Sequence, residues 1–369
     1  MDAIPDILAQ LAQHLDFSTL IQQHLQGIAE LILVPHRLLH QIPFAAIPVC
    51  ADRRGDTGTG GRGEEGCILG KELSRPELAP TENSIYLGDL FQLRQVPNTQ
   101  VLEFCQNRPE PNPANPHGTV EDATDDLPCA NFEGERIAQL LKIPPENRLR
   151  GPNATVTRYR HLIAQTHTLL SSHHAQSRLD SPLESALVLA DGTITLGQLL
   201  TPAWRLPHLS DIFLSCCETG LGFSADSIDD PLNLAAGFLC AGARNVVSTL
   251  WSVDDLATSL FTIRYYHHRQ TCNRPAALQA AQRDLRTLTG KDLKRRYSKE
   301  LNAILEDRYD EATTHRDNAK NTDPKAYERW AAVATKIDTA QSRLKQLCKE
   351  EFPFANPVYW AGFVSQGVR

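Results

Sequence analysis

The chain has 369 residues, 41% of them hydrophobic and 22% charged, with 37 Lys+Arg against 44 Asp+Glu and a formal net charge of −7. That composition supplies a sizeable core and excludes a wholly disordered chain, and an acidic chain without a basic block is a poor ligand for nucleic acid or an anionic membrane. No stretch reaches about 18 uninterrupted apolar residues and the opening MDAIPDILAQ lacks a basic segment ahead of an apolar one, so neither membrane insertion nor secretion is expected.

In chain order, residues 6–29 carry apolar side chains at helical spacing (Ile7, Leu8, Leu11, Leu15, Leu20, Ile21, Leu25, Ile28), and LILVP at 31–35 reads as a short buried strand stopped by Pro35. The Gly-rich, charged stretch that follows position 50 cannot pack, and a second stretch, NRPEPNPANPHGTVEDATDD, is proline-rich. Disordered loops are therefore expected near 51–68 and 107–127. Between them lies a short strand or hairpin (YLGDLFQLRQVP), then a helix capped by Asn98 or Thr99.

Residues 130–141 form an amphipathic helix, and from 151 the alternation tightens: helix TVTRYRHLIAQ, strand THTLLSSHH, strand SALVLAD, a Thr-capped turn at TLGQLL, strand DIFLSCC, helix DDPLNLAAGFLCAGA, strand NVVSTLW. Gly242 suits the C-cap of that last helix. Strands alternating with helices at these lengths imply a mostly parallel sheet covered on both faces. Two helices follow from about 254, then a strongly charged, helix-favouring region at 289–350 that reads as a helical hairpin outside the sheet, and NPVYWAGFVSQG returns to strand character. There is no internal repeat at a solenoid period.

Two pairs stand out, His173-His174 and Cys216-Cys217, each at the end of an expected strand. In an open α/β sheet, groups beyond the carboxyl ends of neighbouring strands converge in one crevice. A thiol and an imidazole meeting there make a nucleophile and a base, since a nearby imidazolium favours the thiolate. Side chains alternate along a strand, so one histidine and one cysteine face the crevice, which argues against a four-ligand zinc site. The nine cysteines are an odd number with no C-x-x-C pair, so neither a disulfide framework nor a zinc ribbon is indicated and the cytoplasm is the expected compartment.

LSCCETG at 214–220 resembles the nucleophile motif of the CHAT-domain peptidases, usually L-S-A-C-E-T-G, and SSHHAQSRLDSPLESALVLADGTITLGQLL at 171–200 resembles that family's histidine segment. VPHRLLHQIPFAAIP (34–48), AAGFLCAGARNVVSTLWSVDD (235–255) and NPVYWAGFVSQG (356–367) resemble its entry strand, its substrate-side strand and its closing strand. The resemblance implies a caspase-like α/β three-layer sandwich, with a mostly parallel central sheet flanked by helices and a helical insertion. It divides the chain into a helical lead-in (1–29), a core (30–288), the charged insertion (289–350) and the closing strand (351–369).

It also implies a cysteine endopeptidase that cuts a protein or peptide substrate through a thioester acyl-enzyme, with Cys217 as nucleophile, His174 as its partner, and the backbone N–H groups of Ala175 and Cys217 as oxyanion hole. Ala175 replaces the glycine common at that position. No metal or cofactor is called for. Separases carry a segment similar to STLWSVDD, so Trp251, Ser252, Asp254 and Asp255 are the expected substrate-binding residues, the two aspartates favouring basic P1 side chains. A regulatory protein partner would dock on the helical insertion. Two rival readings stand beside this one: a catalytically silent caspase-like interaction scaffold, and a thiol-redox protein using both adjacent cysteines, which the diverging side chains disfavour.

Overall fold

The computed structural model describes residues 4–50, 85–216 and 232–369. Among the described residues, eight strands form the central sheet: β1 (Glu30–Leu33), β2 (Gln92–Gln95), β3 (His117–Glu121), β4 (Arg148–Arg150), β5 (Thr168–Ser172), β6 (Asp211–Leu214), β7 (Asn245–Thr249) and β8 (Phe363–Gly367), in the order β1-β2-β8-β7-β6-β5-β3-β4. All neighbours are parallel except β7 and β8. The sheet is thus two parallel blocks joined at one antiparallel seam, the mostly parallel central sheet expected from the sequence.

The helices used below are α1 (Ile4–His14), α2 (Phe17–His24), α3 (Thr99–Gln106), α4 (Ala130–Leu141), α5 (Val156–Ile163), α6 (Leu234–Ala241), α7 (Asp255–Arg269), α8 (Arg274–Arg286), α9 (Lys299–Ala319) and α10 (Pro324–Leu347). Alternation along each central strand feeds two cores. Leu170, Phe213 and Val247 enter the one shared with α4, α7, α8 and the α9–α10 hairpin. Leu169, Ile212 and Val246 enter the other, with α3, α5, α6 and a small antiparallel sheet made by Ala175–Gln176, Ala186–Leu189 and Gly192–Thr195. Three layers result, with the sheet in the middle.

Local signals explain much of this. Asn98 accepts from the Val101 N–H at 2.7 Å and opens α3. Gly242 closes α6 at φ +150, where a Cβ would come within 2.4 Å of the Leu206 carbonyl oxygen. The single helical stretch read over 6–29 is broken into α1 and α2 at Asp16, which takes a left-handed conformation and caps α2 through Thr19.

Two sequence expectations need correction. The loop placed near 107–127 contains β3, an interior strand of the sheet. Its residues are polar, but Glu121 is fully buried because Arg148 (3.0 Å) and Arg150 (2.6 Å) neutralise it from β4, and only Val120 betrays the core. Secondly, the SALVLAD strand joins the small antiparallel sheet rather than the central one. The expected loop near 51–68 lies outside the described residues, as do Cys217 and its neighbours up to position 231. Among the described residues, no helix is long and apolar enough to cross a membrane.

Candidate active site at the carboxyl ends of the central strands

Strands β5 and β6 are adjacent and parallel, so the segments that leave them, His173-His174 and Ser215-Cys216, emerge side by side. Alternation sorts these residues by face. Ser171, His173 and Cys216 point to the small-sheet side. There Tyr159 Oη, Ser171 Oγ and His173 Nε2 form a chain (3.1 and 2.7 Å) that ends with His173 Nδ1 on the His174 carbonyl at 3.0 Å. The carbonyl only accepts, so Nδ1 carries the proton and Nε2 accepts from Ser171. Cys216 Sγ lies 3.1 Å from the Ser171 carbonyl and 4.0 Å from His173 Nδ1. Both side chains are buried, and burial lowers the His173 pKa to about 4. A thiol facing an imidazole that stays neutral is a packed pair, not a reactive one.

On the opposite face, Glu133 of α4 sits beneath both strand ends. Its Oε2 accepts from Ser172 Oγ (2.7 Å) and from Ser215 Oγ (3.1 Å), tying the histidine-bearing segment to the cysteine-bearing one. The carboxyl is 1% exposed, and burial raises its pKa to about 7.

His174 is half-exposed and gives Nε2 to Asp126 Oδ1 at 2.8 Å. That hydrogen bond raises the histidine's pKa, against the opposing effect of burial. Burial works against ionisation of Asp126, yet donors from His174, Lys336 (2.6 Å, to Oδ2) and Thr124 (2.5 Å, to Oδ1) outweigh it and hold the carboxyl well below the usual carboxylate range. The turn that aims Asp126 is unusual: Asp122 and Asp125 both take positive φ, 45° and 58°. Asp122 stabilises it by accepting from the Asp126 and Leu127 N–H groups at 2.8 and 3.0 Å, while Arg308 of α9 reaches its other oxygen at 2.6 Å. Aspartate tolerates this conformation because its short carboxylate bonds the local backbone.

Ala175 opens the short strand that pairs with 186–189, opposite Leu187, and the preceding residue's carbonyl receives the Val188 N–H at 2.9 Å. Alternation of hydrogen bonding in an antiparallel ladder turns the Ala175 N–H off that ladder. Its φ is not positive, so alanine stands at this position without the strain a left-handed backbone would impose.

The structure brings Asp255 to the site and places its neighbours differently. Asp255 lines a cavity of ≈ 40 Å³ with Leu127, His173, His174, Ser215, Cys216 and Thr249, among others. Its carboxylate accepts from the Cys129 N–H at 2.7 Å, and burial raises its pKa to about 6. Asp254 caps α7 through Ala257 N at 2.9 Å and pairs with Arg343 of α10. Trp251 donates its indole N–H to the Val358 carbonyl at 2.9 Å and lies flat against Gly362, while Ser252 is exposed.

Asp126 and Glu133 at the site, and Lys336 and Arg343 that pair with carboxylates at its rim, are residues that the sequence does not announce. The one signal for them is on α10, where Arg329, Lys336 and Arg343 recur every seven residues.

The described residues thus make a mixed, three-layer α/β protein with a histidine and a cysteine-bearing turn at the ends of adjacent parallel strands. The family model described as the CHAT domain matches residues 5–368, and the chain belongs to that family. Among solved structures, it is similar to the Arg specific cysteine proteinase gingipain R, at 10% identity and a TM-score of 0.39 over 52% of this chain and 50% of that one. It is also similar to separase in the Saccharomyces cerevisiae separase–securin complex, at 12% identity and a TM-score of 0.38 over 53% of this chain and 13% of that one. The matches thus span half or less of those chains. No curated protein matches.

Proposed function

We propose that this chain is a cysteine endopeptidase that cleaves a protein or peptide substrate after basic P1 residues. The observation that carries the reading is the His174–Asp126 hydrogen bond at the end of β5, beside the strand that leads into the LSCCETG motif. With Nε2 committed to Asp126, His174 keeps Nδ1 for proton exchange with a thiol, and its raised pKa favours the imidazolium that accompanies a thiolate. Cys216 is packed against His173, so the nucleophile is assigned to the next residue, Cys217.

In this reading the Cys217 thiolate attacks the scissile carbonyl carbon, and backbone N–H groups of Ala175 and Cys217 take up the oxyanion. His174 gives its proton to the leaving amine as the C–N bond breaks. It then takes a proton from water as the oxygen attacks the thioester carbon and the C–S bond breaks, which releases the acid and restores the thiolate–imidazolium pair. Asp255 in the site cavity and Asp254 beside it supply negative charge for a substrate Arg or Lys.

The test compares wild type, Cys217→Ala and Cys216→Ala on fluorogenic peptides with Arg, Lys, Asp or Leu at P1, with intact mass after exposure to a peptide electrophile. Turnover and a single adduct in wild type and Cys216→Ala, and neither in Cys217→Ala, is the expected result. Preference for Asp at P1 overturns the basic assignment. No turnover and no adduct in any protein overturns the peptidase and leaves the interaction scaffold.

A further inference from the structure

The α9–α10 hairpin lies against the candidate site with one charged face. Residues seven apart on a helix fall within about 20° of one another after two turns, so Arg329, Lys336 and Arg343 form a basic stripe. Each meets an acidic or carbonyl group of the site's rim. Arg329 reaches the Thr124 carbonyl at 3.0 Å and Asp125 at 3.6 Å, Lys336 reaches Asp126, and Arg343 reaches Asp254 Oδ2.

The three contacts are not equivalent. Asp126 already serves His174, so Lys336 adds a second donor to a carboxylate the site uses. Asp254 spends Oδ1 on the α7 cap, and among the described residues its Oδ2 holds a guanidinium from another part of the chain. That guanidinium also lies 3.5 Å from Tyr359 Oη. The Arg343 side chain is 38% exposed, whereas the flanking Leu344 and the Leu347 one turn on are buried and anchor the helix. Arg343 can therefore swing into solvent without unpacking α10. The Asp254 carboxylate is 16% exposed and open to solvent on the side its guanidinium partner occupies, so a cation that takes the place of Arg343 keeps the charge paired.

We propose that Arg343 is a built-in competitor for Asp254: it occupies the carboxylate that a basic substrate side chain would use, and the substrate must displace it. The inference rests on the proposed reading of Asp254 as part of a basic-residue subsite. It assigns the hairpin a gating role exerted by one side chain rather than by movement of the helix.

Arg343→Gln should lower KM for Arg- and Lys-P1 peptides about three- to fivefold, the size of a partly exposed ion pair, with kcat and Leu-P1 cleavage unchanged. Arg343→Lys should stay close to wild type. In parallel, in a Cys217→Ala background, a fluorescent basic peptide should bind more tightly by a similar factor when Arg343 is replaced by Gln, read by anisotropy. Turnover that Arg343→Gln leaves unaltered, or that rises equally for Leu-P1 peptides, overturns the inference and leaves the peptidase standing. Tighter peptide binding with no turnover in any protein upholds the inference and overturns the peptidase. No turnover and no change in binding overturns both.

Discussion

Lys336 and His174 hold the two oxygens of one carboxylate: Lys336 Nζ lies 2.6 Å from Asp126 Oδ2, and His174 Nε2 lies 2.8 Å from Asp126 Oδ1. A residue of the helical insertion therefore contributes to the electrostatics of the candidate catalytic histidine without touching it. The two groups act on His174 in opposite directions, since Asp126 stabilises the imidazolium and the ammonium of Lys336 destabilises it.

That opposition gives the first prediction. Asp126→Asn should lower the His174 pKa toward 6.5, and Lys336→Met should raise it above its wild-type value, both read from the imidazole Cε1–H resonance against pH. Asp126→Asn should also cost about tenfold or more in kcat/KM, because the imidazole loses its orienting partner. The linkage to stability follows from the same shifts. His174 has a raised pKa, so its contribution is full below pH 6.5 and is lost as pH rises through the raised value. Asp126 has a depressed pKa, so its contribution is present above 3.8 and is lost as pH falls through the depressed value. Shifts of the same sign in both variants would break the assignment.

Glu133 carries a second prediction. Its pKa rises from 4.5 in the unfolded chain to about 7 in the fold, so the folded state binds the proton more tightly. Stability from this group is full below pH 4.5 and is lost as pH rises to 7, by on the order of 3 kcal/mol. Asp255 and Asp122, raised to about 6 and about 7, add to the loss over the same window. Glu133→Gln keeps an oxygen to accept from Ser172 and Ser215 and removes the titration. Urea midpoints measured from pH 4.5 to 7.5 should fall less steeply in the variant than in wild type. Parallel curves would mean that the carboxyl does not titrate there.

Much of the scaffold is legible in the sequence because local signals and burial agree. The NVVSTLW run, the Asn98 cap and Gly242 each place an element boundary that the structure keeps. Strand β3 is hidden for the opposite reason: its inward polar groups, Thr119 and Glu121, are satisfied by residues that no local pattern links to them. The same holds for Asp126, which sits in an acidic run that reads as solvated loop until Lys336 and Arg308 arrive from the insertion. The histidine pair is legible as a pair, but the partition of His173 to a dry network and His174 to Asp126 depends on what each face of β5 packs against.

The turn that presents Asp126 supplies a third prediction. Gly151 has φ +47, and a Cβ there would lie 2.3 Å from Asp125 Oδ1. Gly151→Ala therefore strains its own backbone and pushes on the left-handed Asp125, at a cost of about 1–2 kcal/mol in stability. Displacement of the turn should also move the His174 resonance toward its position in Asp126→Asn. A destabilised protein whose His174 titration is unchanged would show that Asp126 does not depend on this contact.

The last prediction separates fold from site. At the opposite end of β6, Arg274 grips both carboxylate oxygens of the buried Asp211, the second at 2.8 Å, and also holds Ser210 Oγ at 2.8 Å and the Arg369 carbonyl at 2.6 Å. Arg274→Met leaves Asp211 charged and unpaired in the core, which costs about 3–5 kcal/mol. Replacing both partners with apolar residues, Arg274→Met with Asp211→Leu, removes the stranded charge and should recover most of that loss. Because the pair lies at the amino end of the strand and the His174 site at the carboxyl end, the folded double variant should keep the wild-type His174 titration. Equal destabilisation in the single and double variants would mean that the packing of Arg274, rather than its charge, is what the fold uses.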